Sequence, residues 1–307
     1  MTAHVMEREY DLLIIGGGPA GLTAAAYAIR KRIETILVSE DLGGKTNYKF
    51  SLPHVEKHLL LDGEELLRKF KSQIEYLDFA RHLAKVTKFE KVGKRFLATT
   101  ADRSFKAKAA IIATGVQPKR LKAPGEKEFI GRGVSYSAVS HAPLFIDLDV
   151  AVVGDGMPAL QAAAELVRIA GKVNVIGVPN RFLSSPLGKR IQASGRAEFF
   201  SNYKVKEIRG KTSVEQIVIS SKSEMKIPVK GVFVELGVLP NTSMFAKVVK
   251  RNSEGRIIVD ENNQTSAPGL FAAGDVTDVN ANQVIIAMGE GANAALSADN
   301  YLLSIEP

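Results

Sequence analysis

The sequence predicts an α/β protein, and three observations carry that prediction. Short apolar runs of strand length recur, each bounded by glycine or a polar turn. Alanine-rich stretches of helical length lie between several of them. One pattern, an apolar run followed by a glycine turn and a helix-forming stretch, occurs twice.

Taken in order, residues 12–15 and 35–38 are continuously apolar rather than alternating, as strands covered on both faces of a parallel sheet must be. Residues 22–30 between them have helical composition. Apolar runs return at 109–113, 150–153, 173–176, 232–234 and 270–273, with a second helical stretch at 160–169. The alternation is βαβ, which sets the class. The two glycine turns are Ile15-Gly16-Gly17-Gly18-Pro19-Ala20-Gly21-Leu22 and Val153-Gly154-Asp155-Gly156-Met157-Pro158-Ala159-Leu160. They imply two Rossmann-like dinucleotide-binding domains. Residues 118–126, rich in Pro, Lys and Gly, read as the crossing between the domains, and residues 240–245 as the return.

Composition bounds the chemistry. The 307 residues contain no cysteine, which removes disulfides, thiolate nucleophiles and dithiol redox chemistry at once. Lys and Arg exceed Asp and Glu by 41 to 33, a net charge of +8 that favours anionic ligands or acidic partners. The basic residues are scattered and lack aromatic interleaving, so nucleic acid is not expected as a partner. Apolar runs reach about six residues where roughly 20 are needed to cross a bilayer, and the N-terminus lacks a signal peptide's apolar core. The expectation is a cytoplasmic protein without membrane association. His54 and His58 are spaced i and i+4, but HVEKH is not a zinc-binding HExxH, and no metal site is expected.

In the first turn, Gly16 permits the tight bend, Gly18 lets the backbone approach a pyrophosphate, and Gly21 lets helix and strand pack closely. The helix start at Pro19 and Ala20 offers unpaired N–H groups to phosphate oxygens. Glu40 ends the next strand, where a carboxylate can bond ribose hydroxyls. The second turn keeps the GxGxxA pattern at Gly154, Gly156 and Ala159, with Pro158 tolerable in a first helical turn.

Those motifs, with Gly43-Gly44, Ala113-Thr114-Gly115, Gly131-Arg132-Gly133-Val134-Ser135-Tyr136, the run Thr265-Ser266-Ala267-Pro268-Gly269-Leu270-Phe271-Ala272-Ala273-Gly274-Asp275 and Gln283 followed by Gly289-Glu290-Gly291-Ala292, stand in one order. In this the chain resembles the low-molecular-weight thioredoxin reductases over nearly its whole length. The resemblance implies an FAD-binding domain (residues 1–117 and 242–307) interrupted by a smaller NAD(P)-type domain (118–241), in a homodimer. It implies that Gly16, Gly18, Pro19 and Ala20 meet the FAD pyrophosphate and that Glu40 meets the adenosine ribose. The crossing falls at Thr114-Gly115, Asp275 meets the ribitol, and Gln283 and Val284 start a helix facing the flavin pyrimidine. Lys45 stands where the family has Gln, and the family's Glu-Asn-Tyr-Pro-Gly segment has no counterpart.

The family's Cys-x-x-Cys falls on Ser137 and Ser140. A hydroxyl pair cannot cycle to a disulfide, so the chain is not a thioredoxin reductase in the strict sense. Neither serine has a nucleophile-elbow frame. His141 takes the place of the family's acidic proton donor, and a histidine's ordinary pKa near neutrality suggests a proton exchanger there. After the strand at 173–176, the family's His-Arg-Arg grip on a 2′-phosphate is replaced by Gly177-Val178-Pro179-Asn180-Arg181, which also lacks an acid for a 2′-hydroxyl. NADH, NADPH or neither remains open.

The resulting expectation is an FAD-dependent oxidoreductase that passes electrons through FAD alone to oxygen, a quinone-like small molecule, or an acidic carrier such as ferredoxin or flavodoxin. The alternative is a non-catalytic flavin- or partner-binding relative with a vestigial nicotinamide site, or one holding a second flavin there.

Overall fold

The structure is a computed structural model and describes residues 8–53, 63–279 and 282–305. The chain divides into two compact units: residues 8–47, 63–117 and 239–305 form one, and residues 48–53 and 118–238 the other. The short segment 48–53 groups with the second unit, which the sequence did not suggest.

In the first unit, β1 (Glu9–Ile15) leads through the glycine turn into α1 (Pro19–Arg30) and β2 (Thr35–Ser39). There follow α2 (Gly63–Tyr76), β3 (Arg81–Leu83), and the antiparallel run β4 (Lys88–Val92), β5 (Arg95–Thr99) and β6 (Ser104–Ile112). The strand order is β3-β2-β1-β6-β5-β4, with β1 parallel to both β2 and β6. Besides β1, the long β6 serves two partners. Its first half pairs antiparallel with β5, and its end pairs parallel with the later strand Leu270–Ala272 through Leu270 and Ala110. The last helix of the unit spans Val284–Ile305.

Both faces of this sheet are covered, which is why its central strands read as unbroken apolar runs. Leu12 and Ile14 face one side with Leu22, Ala24, Ala25 and Ala28 of α1, whereas Leu13 and Ile15 face the other with Phe89 and Phe96. Small residues let α1 and the last helix approach closely: a Cβ on Gly291 would lie 2.1 Å from the Ala20 carbonyl oxygen.

After β7 (Val116–Pro118), the second unit builds a parallel sheet from β8 (Val134–Ser135), β9 (Val150–Val153), β10 (Val173–Ile176), β11 (Ala197–Phe200) and β15 (Gly231–Val234), in the order β11-β10-β9-β15-β8. Its helices are α3 (Ala138–His141), α4 (Met157–Leu166), α5 (Asn180–Leu183) and α6 (Pro186–Ala193). The other face carries the antiparallel meander β12 (Lys204–Gly210), β13 (Val214–Ser220) and β14 (Glu224–Pro228). Val150 and Val152 pack toward α4, while Ala151 and Val153 pack toward Ile217 and Ile219 of β13. The entry segment is pinned by the buried Glu126, which accepts from the N–H groups of Leu121 (2.8 Å) and Lys122 (2.7 Å) and from the Tyr136 hydroxyl (2.8 Å). The return strand is β16 (Val238–Pro240), followed by β17 (Leu270–Ala272) and α7 (Val284–Ile305) in the first unit.

The α/β class with two Rossmann-like sheets is as expected. The helix expected at 160–169 instead starts at Met157 and ends at Leu166, because the glycine turn delivers the chain into helical geometry directly after Gly156.

Candidate functional site

In the first unit the glycine turn is shaped by contacts only glycine allows. Gly16 has φ +113, and a Cβ there would lie 2.3 Å from the Ala113 carbonyl oxygen. Its N–H donates to Val38 O (2.9 Å), and the N–H of Gly17 donates to Ser39 Oγ (2.7 Å). A Cβ on Gly21 would meet Gly16 O at 1.8 Å, so turn and helix touch. Gly18, in extended conformation, caps α1 with no side chain bonded to the helix's first N–H groups, and nothing lies within 4 Å of its Cβ direction. Pro19 takes the first helical position, where its missing N–H costs nothing, and Ala20 follows. An uncapped helix start beside open backbone fits an FAD pyrophosphate.

The loop after β2 folds onto this turn. Gly43 N–H donates to Gly17 O (2.7 Å), and a Cβ on Gly44 would lie 3.1 Å from Gly18 Cα. Glu40 is exposed at the end of β2, 3.7 Å from Lys85. Lys45 forms an ion pair with Asp275, whose side chain is only 11% exposed. The sequence marked Lys45 only as a departure from the family. The fold turns it into the partner of the residue expected to meet the ribitol.

Asp275 follows Gly274, whose N–H donates to Glu290 Oε2 (2.8 Å). Burial raises the Glu290 carboxyl above its ordinary range, while the Gly274 N–H and the Thr277 hydroxyl oppose the rise. Arg256 donates to the Asp275 carbonyl (2.6 Å) and was missed by the sequence reading. Gln283 O accepts from Ala287 N–H (2.9 Å), which places Gln283 at the cap of α7 and Val284 in its first turn. Thr114 and Asn241 exchange two bonds of 2.8 Å, and Asn241 N–H donates to Gly115 O (3.0 Å), so the two chain crossings are tied on the first unit's side. The geometry thus gathers Gly16 to Gly21, Gly43, Gly44 and Asp275. Residues 54–58, with His54 and His58, lie outside the described residues.

The second unit carries its own glycine turn. Gly154 N–H donates to Ile176 O (3.1 Å), and a Cβ on Gly154 would lie 2.7 Å from the Ala159 Cβ. Gly156 caps α4 without a side-chain bond, Pro158 occupies the first turn, and Asp155 is exposed between the glycines. Beyond β10, the Arg181 guanidinium lies over the Phe182 ring, 5.1 Å from its centroid.

The serine segment lies in the same unit. Ser137 caps α3: its Oγ accepts from Ser140 N–H (3.3 Å) and donates to Ser140 Oγ (3.0 Å). Ser135 is 1% exposed, with its Oγ 2.9 Å from His141 Nδ1 and accepting from Ser137 N–H (3.1 Å). The His141 ring stacks on Phe50 at 3.9 Å. This setting corrects the expectation of a histidine titrating near neutrality. Burial pushes the His141 pKa down to about 4, so the imidazole is neutral at physiological pH.

A carboxyl of the same unit, that of Glu235, is instead shifted toward neutrality. Glu235 follows the buried strand β15 and accepts from Ala138 N–H (3.1 Å), and burial, aided by Glu165, pushes its carboxyl up to about 7. An acid directly after a wholly apolar buried run was the available sequence signal. Ser135, although paired with an imidazole, is enclosed and already bonded, so it is no nucleophile. Among the described residues, no group of three His, Asp or Glu could hold a metal, and no helix is long and apolar enough to cross a membrane.

Comparison with known proteins adds the following. The family model for pyridine nucleotide-disulphide oxidoreductases matches residues 10–291. An NADH dehydrogenase of Bacillus subtilis (strain 168) is 37% identical over 302 residues, 97% of this chain and 59% of that protein. An alkyl hydroperoxide reductase component of Staphylococcus aureus (strain Mu50 / ATCC 700699) is 35% identical over 312 residues, 98% of this chain and 62% of that protein. The chain therefore spans about three fifths of the length of these curated relatives. The thioredoxin reductase structure from Streptococcus pyogenes MGAS5005 matches with TM-score 0.87 and 35% identity, covering 97% of this chain and 99% of that one. That from Giardia duodenalis matches with TM-score 0.86 and 28% identity, covering 97% and 100%.

Proposed function

Because the chain belongs to the pyridine nucleotide-disulphide oxidoreductase family, we propose that it is an FAD-dependent oxidoreductase that works without a dithiol, passing electrons through FAD alone to an external acceptor. The observation that carries this reading is the hydroxyl pair of Ser137 and Ser140, 3.0 Å apart, in a chain with no sulfur relay to place between flavin and acceptor.

The first unit is the FAD domain in this reading. The N–H groups at the start of α1, with Gly16 and Gly18, hold the pyrophosphate; Glu40 holds the adenosine ribose; Asp275 and the first turn of α7 hold the flavin side. FAD when bound would supply the capacity to take up two electrons with a proton and to pass the electrons on singly or as a pair as the proton leaves. Lys45 brings a cation to the Asp275 carboxylate and so sets the local charge around it. In the second unit, neutral His141 holds the serine segment in place through Ser135, and the Glu235 carboxyl is the group able to exchange a proton near pH 7.

The acceptor is oxygen, a quinone-like small molecule or an acidic electron-carrier protein, the last favoured by the +8 charge. The test begins with the FAD-to-chain ratio of purified protein. Protein photoreduced under anaerobic conditions is then mixed with an anaerobic solution of a benzoquinone or oxidised flavodoxin, or in a separate arm with oxygen-saturated buffer, and bleaching recovery is followed at the flavin band. Rapid reoxidation by one of these, with no reduction of added thioredoxin, is expected. A colourless protein that takes up no FAD, or one that reduces thioredoxin unaided, would overturn the proposal.

A further inference from the structure

The family binds a pyridine dinucleotide in its second glycine-turn domain, and the residues of this chain can be tested against such a ligand. A turn that holds a pyrophosphate needs free N–H donors in the first helical positions and no anion of its own between the glycines. The first unit meets both conditions. Gly17 stands between Gly16 and Gly18, and the proline is at the first position of α1. The second unit falls short of both, although the N–H groups of Met157 and Ala159 remain at the start of α4. Asp155 stands between Gly154 and Gly156, exposed, and among the described residues no cation pairs with its carboxylate. Pro158 is one place further along, at the second position of α4, and removes an N–H that an N-terminal oxygen ligand would take.

The surroundings do not compensate. After β10 the chain runs Gly177-Val178-Pro179-Asn180, with no acid for a ribose hydroxyl, and Arg181 rests on Phe182. Two independent features at one turn, a fixed negative charge and a deleted donor, act against a ligand that carries two negative charges of its own.

We propose that the second glycine turn rejects the pyrophosphate of NADH and NADPH, with Asp155 and Pro158 as the residues that set this specificity. The inference rests on the flavoprotein reading only for its consequence, that reducing equivalents enter from a donor other than a pyridine dinucleotide. Dinucleotide binding itself is measurable whether or not FAD is present.

The experiment titrates the 307-residue chain into NADH, and separately NADPH, following nicotinamide fluorescence, with FAD content recorded for each sample. The wild type is expected to bind only in the millimolar range. Asp155→Asn, at an exposed position with no ion-pair partner among the described residues, is expected to tighten binding roughly fivefold per phosphate neighbour, the factor one unit charge contributes at a few ångströms in water, with the gain shrinking as salt rises. Asp155→Gly combined with Pro158→Ser is expected to gain at least about tenfold. Asp155→Glu gains nothing. Micromolar binding by the wild type, or no gain in either Asn or double variant, overturns the proposal. Loss of FAD from all samples defeats the flavoprotein reading instead and leaves the titrations interpretable.

Discussion

Two half-buried groups of opposite type in the second unit make its stability depend on pH in a way that single substitutions expose. His141 is neutral when folded, with its pKa pushed from 6.5 to about 4 by burial. As pH falls through this window the unfolded chain takes up a proton that the folded one refuses, so stability is lost from pH 6.5 down to about 4. Glu235 behaves oppositely: its carboxyl is pushed from 4.5 up to about 7, so the unfolded chain releases a proton that the folded chain keeps, and stability is lost as pH rises from 4.5 to about 7. At about 1.4 kcal/mol per pH unit of displacement, each group is worth about 3 kcal/mol over its window. Between pH 4.5 and 6.5 the two slopes cancel, and the wild type is nearly flat there as far as these groups are concerned. His141→Gln then leaves stability falling with rising pH, and Glu235→Gln leaves it rising. Urea midpoints from pH 4 to 8, with hydrogen exchange of the 150–153 amides to report on the second unit alone, measure both slopes. Parallel pH profiles for wild type and both variants would refute the burial argument.

Other outcomes are equally concrete. Gly16→Ala forces a Cβ to 2.3 Å from the Ala113 carbonyl at φ +113, and FAD retention measured by absorbance after gel filtration should fall at least about tenfold. Gly291→Ala brings a Cβ to 2.1 Å from the Ala20 carbonyl, and the parting of α1 from α7 should lower stability by about 1–3 kcal/mol in thermal or urea unfolding. Ser137→Ala removes the cap of α3 and should cost about 1 kcal/mol, read by faster amide exchange at Ser140. The double substitution Ser137→Cys with Ser140→Cys should form a disulfide under mild oxidation, counted by thiol titration. Two persistent free thiols would contradict the placement of the missing dithiol at these positions.

Much of the fold was legible because its information is local. The runs 150–153 and 173–176 are β9 and β10 to the residue, since a strand covered on both faces leaves no polar alternation to blur its ends. The short strand β8 and the meander of β12, β13 and β14 were not legible. β8 spans two residues and is held by pairing with β15, and burial along the meander follows no regular alternation. The position of Lys45 was noted in the sequence but its partner was not, because the charge that selects it lies in a segment brought near only by the return of the chain.

The sequence by itself therefore determined the α/β class, the two glycine turns and the lack of any cysteine chemistry, because residue type and spacing suffice for each. Only the tertiary structure decided that His141 is held neutral, that Glu235 titrates near pH 7 and that Lys45 pairs with Asp275. Burial and distant charge set these properties, and neither is carried by the residue's neighbours in the chain.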